Sequence, residues 1–121
     1  MKINLLETGQ GTIALCESAE PVIRSGQSAL DLIANLGYAH NCRNLVLNKA
    51  AICETFFDLS TGLAGEVAQK FVNYNARLAI IGSFSTYPSR ALQDYIYECN
   101  KNGPLYFVST EAEALQSLTE T

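Results

Sequence analysis

The chain has 121 residues, 48% hydrophobic and 17% charged, with 8 Lys and Arg against 12 Asp and Glu for a net charge of -4. That size and balance imply a single globular domain over 1–121 and exclude a disordered chain. An acidic chain lacks the basic footprint that phosphate backbones require, so no nucleic acid is expected as partner. Two short apolar runs come first, Ile3 to Leu6 and Thr12 to Cys16. Between them Thr8-Gly9-Gln10-Gly11 carries the glycines of a hairpin turn. A polar connector, Glu17 to Gln27, leads to Ser28. From there Leu30, Ile33, Ala34 and Gly37 recur at helical spacing, with Ser28 as the expected N-cap and Asp31 three residues on.

Leu45-Val46-Leu47 reads as a buried strand, followed by a loop from Lys49 to Asp58. A second helix is expected from Ser60-Thr61-Gly62, with Leu63, Val67 and Phe71 stacked on one side and Ala64 and Ala68 allowing close approach. Leu78 to Ile81 is the next strand, stopped at Gly82. A third helix follows the loop Ser83 to Pro88, with Pro88 in its first turn and Ala91, Leu92, Tyr95, Ile96 and Cys99 along one side. Leu105 to Val108 forms the last strand. Thr110 to Leu118 forms the last helix, capped by Ser109 or Thr110 with Glu113 behind. Alternating strands and helices predict an α/β fold, with a mixed sheet of about five strands: an N-terminal antiparallel hairpin, then parallel βα units.

Sites in such sheets form beyond the carboxyl ends of strands. The segment Phe56-Phe57-Asp58-Leu59-Ser60-Thr61-Gly62-Leu63-Ala64-Gly65-Glu66 sets hydroxyls and a carboxylate around a helix start, with glycines that keep bulk away. A hydroxyl there is placed to cap the helix. Phosphate added to it would meet free N–H groups and a positive dipole end, switching a docking surface. The contact surface comprises Asp58, Ser60, Thr61, Gly62 and Glu66. Ser83, Phe84 and Tyr87, with Tyr106, could instead wall a small-ligand cleft floored by Thr61. Catalysis ranks third. Glu66 and Lys70 at i and i+4 read as a solvated ion pair, His40 as a loop histidine, and Cys99 lacks any sign of activation. The four cysteines, Cys16, Cys42, Cys53 and Cys99, have neither C-x-x-C nor zinc spacing, so neither metal nor cofactor is expected and they read as reduced core residues of a cytoplasmic protein. No apolar stretch approaches the ~20 residues of a membrane span. A protein partner is expected, and a homodimer if the crossover helices leave one sheet face bare.

The run FFDLSTGLAGEVAQKFVNYNARLAIIG, Phe56 to Gly82, resembles the bacterial family of domain of unknown function 4180. The resemblance continues through Ser28 to Ala34 and Ser89 to Glu98. More distantly, the element order and Ser60-Thr61-Gly62-Leu63-Ala64 resemble the STAS-like (SpoIIAA-like) domains of anti-sigma-factor antagonists. In those proteins a D-S-S-G-L-G-type turn opens the helix, and the hydroxyl before the glycine is phosphorylated by a partner kinase. The resemblance makes Thr61 the phosphoacceptor, Ser60 its neighbour and Gly62 the glycine. Leu59 stands in the aspartate's position, with Asp58 one step earlier.

Overall fold

A computed structural model describes residues 1–119, so the last two residues of the expected domain lie outside the described range. The strands are β1 (Lys2–Thr8), β2 (Gly11–Glu17), β3 (Asn44–Asn48), β4 (Arg77–Ile81) and β5 (Leu105–Val108). The helices are α1 (Gly26–His40), α2 (Leu63–Asn73), α3 (Arg90–Asn102) and α4 (Glu111–Thr119). The strands lie side by side in chain order, β1 to β5. β1 and β2 are antiparallel, closed by the Gly9-Gln10 turn, and each later pair is parallel. This is the fold class that the alternation of elements predicts.

A sheet laid down in one direction with crossovers of one hand puts all its crossover helices on one face. Accordingly α1, α2 and α3 share a core with the side chains of one sheet face, including Ala14, Leu45, Leu47, Leu78, Ile80 and Phe107. The terminal α4 is no crossover and packs on the opposite face, where Ala114 and Leu118 meet Ile13, Val46 and Ala79. β3 and β4 are therefore buried on both faces, which explains their unbroken apolar runs. The face opposite the crossovers is thus covered over β4 and β5 by the chain itself. The expectation that a second copy must cover it needs a different physical basis.

Helix boundaries depart from the sequence reading in instructive ways. α1 begins two residues before Ser28, capped by Ser25 rather than Ser28. Ser25 Oγ accepts from the Ser28 amide at 3.1 Å, and Ser28 Oγ accepts from the Ser25 amide at 3.0 Å. Either serine offers a capping hydroxyl, and the two close a reciprocal box. The buried stripe is Ala29, Leu32, Ile33 and Leu36, packed in the core beneath the sheet, while Ala34 is exposed. Pro88 lies just outside α3, whose cap is Ser89, its hydroxyl accepting from Leu92 N at 3.2 Å. At α4 the cap is Thr110, whose hydroxyl accepts from the Glu113 amide while the Glu113 carboxylate accepts from Ser109 N.

Candidate functional site

Between β3 and α2 the chain crosses the carboxyl end of the sheet in three short 3-10 turns, Lys49–Ala51, Glu54–Phe57 and Leu59–Thr61. Phe56 and Phe57 anchor this segment, at 0% and 4% exposure. Phe57 meets Phe56 edge-on at 5.0 Å, lies stacked on Tyr87 at 5.2 Å and is tilted against Phe84 at 5.8 Å. Phe84 meets Phe107 edge-on at 5.3 Å. Such ring pairs each add about 0.5–1.5 kcal/mol beyond the area they bury. The aromatic layer fixes a polar rim above it.

Asp58, Ser60, Thr61, Gly62 and Glu66 are all exposed on that rim. Asp58 Oδ1 accepts from the Ser60 amide at 3.1 Å and from Ser60 Oγ at 2.6 Å, which folds the turn back on itself. The Thr61 hydroxyl faces two carbonyls, of Asp58 at 2.8 Å and Thr55 at 3.0 Å, and accepts from Leu63 N at 3.2 Å. Thr61 thus satisfies one of the amides that opens α2. Gly62 joins the turn to the helix at φ 78°, left-handed backbone that other L residues resist. Gly65, in the first turn of α2, has nothing within 4 Å of where a Cβ would stand. Glu66 does not turn to Lys70. Its carboxylate lies against Gly26, where a Cβ would meet Oε1 at 2.3 Å, so it sits at the start of α1. α1 has no acid in its own first turn. A carboxylate from α2 supplies the negative charge that a helix N-terminus favours.

Sequence reasoning missed the charged cluster beside this rim. Lys49 Nζ donates to Glu54 Oε1 at 2.9 Å, and the Tyr87 hydroxyl donates to Glu54 Oε2 at 2.8 Å. Nζ also lies 5.1 Å from the Phe57 ring centre and 5.0 Å from that of Tyr87, within reach for a cation–π attraction. Burial works against the Lys49 charge, but the Tyr87 hydroxyl and Glu54 outweigh it and hold the ammonium above its ordinary range. The hydrogen bonds from Lys49, then from Tyr87, hold the Glu54 carboxyl below its own. Lys49 is therefore a fixed cation and a poor nucleophile. Its position directly after a buried strand was the available signal, because side chains there stand at the carboxyl edge of the sheet. The cluster ties the turn bearing Glu54 and Thr55 to the β4–α3 loop. Since the Thr55 carbonyl faces the Thr61 hydroxyl, the same grip steadies the rim.

Of the residues expected to wall a ligand cleft, Phe84 and Tyr87 come together on Phe57 and Tyr106 does not join them. Ser83 is exposed, Phe84 is 9% exposed within the aromatic layer, and Tyr87 covers Phe57. Tyr106 lies on the α4 face, while its neighbour Phe107 joins the aromatic layer, because successive strand residues point to opposite faces. Two cavities are open elsewhere. One of about 260 Å³ lies on the α4 face beside Lys2, Asn4, Leu15 and Asn48; the other, of about 280 Å³, lies between the ends of α1 and α2 beside Tyr38, Arg43 and Tyr74. Among the described residues no three His, Cys, Asp or Glu side chains come close enough together to hold a metal ion. No helix there is long and apolar enough to cross a membrane. All four cysteines are free, and Cys16, Cys42 and Cys99 are buried. Burial pushes the Cys16 thiol up to about 11 and raises those of Cys42 and Cys99 as well. His40 is exposed in the last turn of α1.

The family model described as domain of unknown function (DUF4180) matches residues 8–118. The chain belongs to this family. The match runs from the hairpin turn to the last turn of α4, so the whole rim lies inside it, as do Lys49, Glu54 and Tyr87. No curated protein and no solved structure matches the chain.

Proposed function

We propose that this chain is a cytoplasmic, non-catalytic regulatory module that binds a protein partner through the rim at the start of α2. Gly65 is the observation that carries the reading. A glycine inside a helix costs about 0.5–1 kcal/mol relative to alanine, and here neither crowding nor backbone geometry requires one. Its value lies outside the fold: a bare stretch of helix beside Ser60, Thr61 and Gly62 lets another surface approach the backbone closely. The rim is also rigid, being fixed from below by Phe56 and Phe57 and from the side by Lys49, Glu54 and Tyr87. A preformed surface loses little freedom on binding.

Thr61 supplies the switch. Phosphorylation would remove its hydroxyl donor from the Asp58 and Thr55 carbonyls and set about two negative charges at the start of α2. That changes the charge of the rim while the aromatic layer beneath stays packed. The distant likeness to STAS-like domains points the same way, since their phosphoacceptor occupies the matching place. The test compares the parent chain with Thr61→Glu and Thr61→Ala in a pull-down from native lysate. The reading expects Thr61→Glu to lose or exchange the partner that Thr61→Ala keeps. Identical partners for all three chains would end it.

A further inference from the structure

We infer that the groove between the C-terminal ends of α1 and α2 is a binding site for a small aromatic carboxylate. The cavity there, of about 280 Å³, lies just under the ~300 Å³ at which ligand pockets commonly begin, a size that suits a single-ring metabolite. Its floor is a bare strip of α1. Ala34 is exposed, and a Cβ on Gly37, one turn further on, would meet nothing nearer than the Cys42 carbonyl at 4.0 Å. Gly37 has ordinary helical backbone, so neither crowding nor φ asks for glycine inside this helix, where alanine is the better residue. The bare strip lets a flat ring lie close against the helix. Tyr38 and Tyr74 stand beside it, 96% and 46% exposed. Among the described residues neither ring has an aromatic or cationic partner, so each offers its surface to a ligand ring.

Arg43 sets the charge of the ligand. Among the described residues that line the cavity it carries the only full charge, in a chain whose net charge is -4. Its Nη1 donates to the Tyr74 carbonyl at 2.8 Å, which holds the guanidinium at the end of α2. Capping that carbonyl takes one N–H, and a lysine would serve as well. Nε and Nη2 donate to no group of the described protein, and together they form the edge of a guanidinium that grips a carboxylate through two parallel bonds. Helix C-termini by themselves repel an anion, but the closing carbonyls here are engaged. Leu36 and Gly37 accept from the Cys42 and Asn41 amides, and Lys70 and Phe71 from those of Tyr74 and Ala76. One fixed cation beside a slot walled by tyrosines matches an aromatic ring that bears one carboxylate. The groove lies at the opposite end of α2 from the rim, and the inference stands independently of the regulatory reading.

Titration of the full chain with phenylacetate, followed through amide NMR shifts, tests the inference. Phenylacetamide, which lacks the charge, and acetate, which lacks the ring, are titrated beside it. The parent should bind phenylacetate with a Kd of about 1 mM or tighter, with the shifts centred on residues 34–43 and Tyr74. Phenylacetamide and acetate should each bind at least about tenfold more weakly. Arg43→Gln should weaken phenylacetate binding by about tenfold or more, and Ala34→Leu, at an exposed position, should block the floor and abolish it. Arg24→Gln, an exposed arginine before the start of α1, is the control and should bind as the parent does. The comparison of the three probes needs no variant, so it stands even if a substitution disturbs the fold. A parent that does not bind phenylacetate would overturn the inference, as would equal binding of phenylacetamide or shifts centred elsewhere. So would an Arg43→Gln or Ala34→Leu chain that folds and binds like the parent, or an Arg24→Gln chain that loses binding. If the groove instead holds a segment of a partner protein, phenylacetate leaves the spectrum unchanged, which likewise overturns it.

Discussion

Two glycines three residues apart at the head of α2 do opposite things. Gly62 holds φ 78°, while Gly65 has helical backbone and open space around it. Gly62→Ala is expected to lower stability by about 1 kcal/mol, the cost of left-handed backbone for an L residue. Gly65→Ala is expected to raise it by about 0.5–1 kcal/mol. Urea unfolding of both variants checks the pair, and a matching loss in each would contradict the distinction. Sequence alone made them equivalent, since a glycine's letter does not report its φ. The thiols separate in the same way. Cys16, Cys42 and Cys99 are buried with raised pKa values, and Cys53 is half-buried. A thiol reagent at neutral pH should therefore label Cys53 first and reach the other three only on unfolding. Rapid labelling of all four in the native protein would contradict this packing.

At the scale of elements, the strands, α2 and α3 were legible because each carries an apolar period or run that its surroundings satisfy. The segment from Lys49 to Thr61 was not. Its 3-10 turns are too short for a period to show, so nothing local tells that both Phe56 and Phe57 are buried. What fixes the segment is long-range: the Phe57–Tyr87 stack and the Glu54 carboxylate between Lys49 and Tyr87. Its pH dependence follows from Glu54. A carboxyl held below its ordinary range stabilises the fold fully above the pH at which an unfolded-chain carboxyl titrates. That contribution fades as pH falls through the folded-state value. The Glu54 side chain is 72% exposed, so screening keeps the effect small. Glu54→Gln should cost under about 1 kcal/mol at pH 7 and flatten the acid limb of the stability curve, as urea midpoints taken from pH 7 down to 3 would register. An unchanged acid limb would remove Glu54 from the account.

For the whole molecule, alternation of elements foretold a parallel sheet behind a hairpin, and handedness placed α1, α2 and α3 on one face. The side taken by α4 follows from no local pattern, because a terminal helix has no second strand to return to. The same gap misplaced Tyr106: which way a strand residue points depends on register, and only its neighbour Phe107 reaches the aromatic layer. α4 covers its face through few residues, with Leu118 1% exposed and its carbonyl accepting from Arg77 Nη2. Leu118→Ala should cost about 2–5 kcal/mol and raise binding of an apolar dye, by uncovering Ile13, Val46 and Ala79. A loss below about 1 kcal/mol would mean that α4 is a loose cover. The reading of the α2 rim as a docking surface is tested most directly by Gly65→Gln. This change adds bulk at an open helical position that the fold does not need empty, and the measurement is the amount of co-purifying protein retained by a variant with at least the parent's urea midpoint. The account predicts that the partner is lost while the fold is as stable as before; a stable variant that keeps its full complement of partner would contradict it.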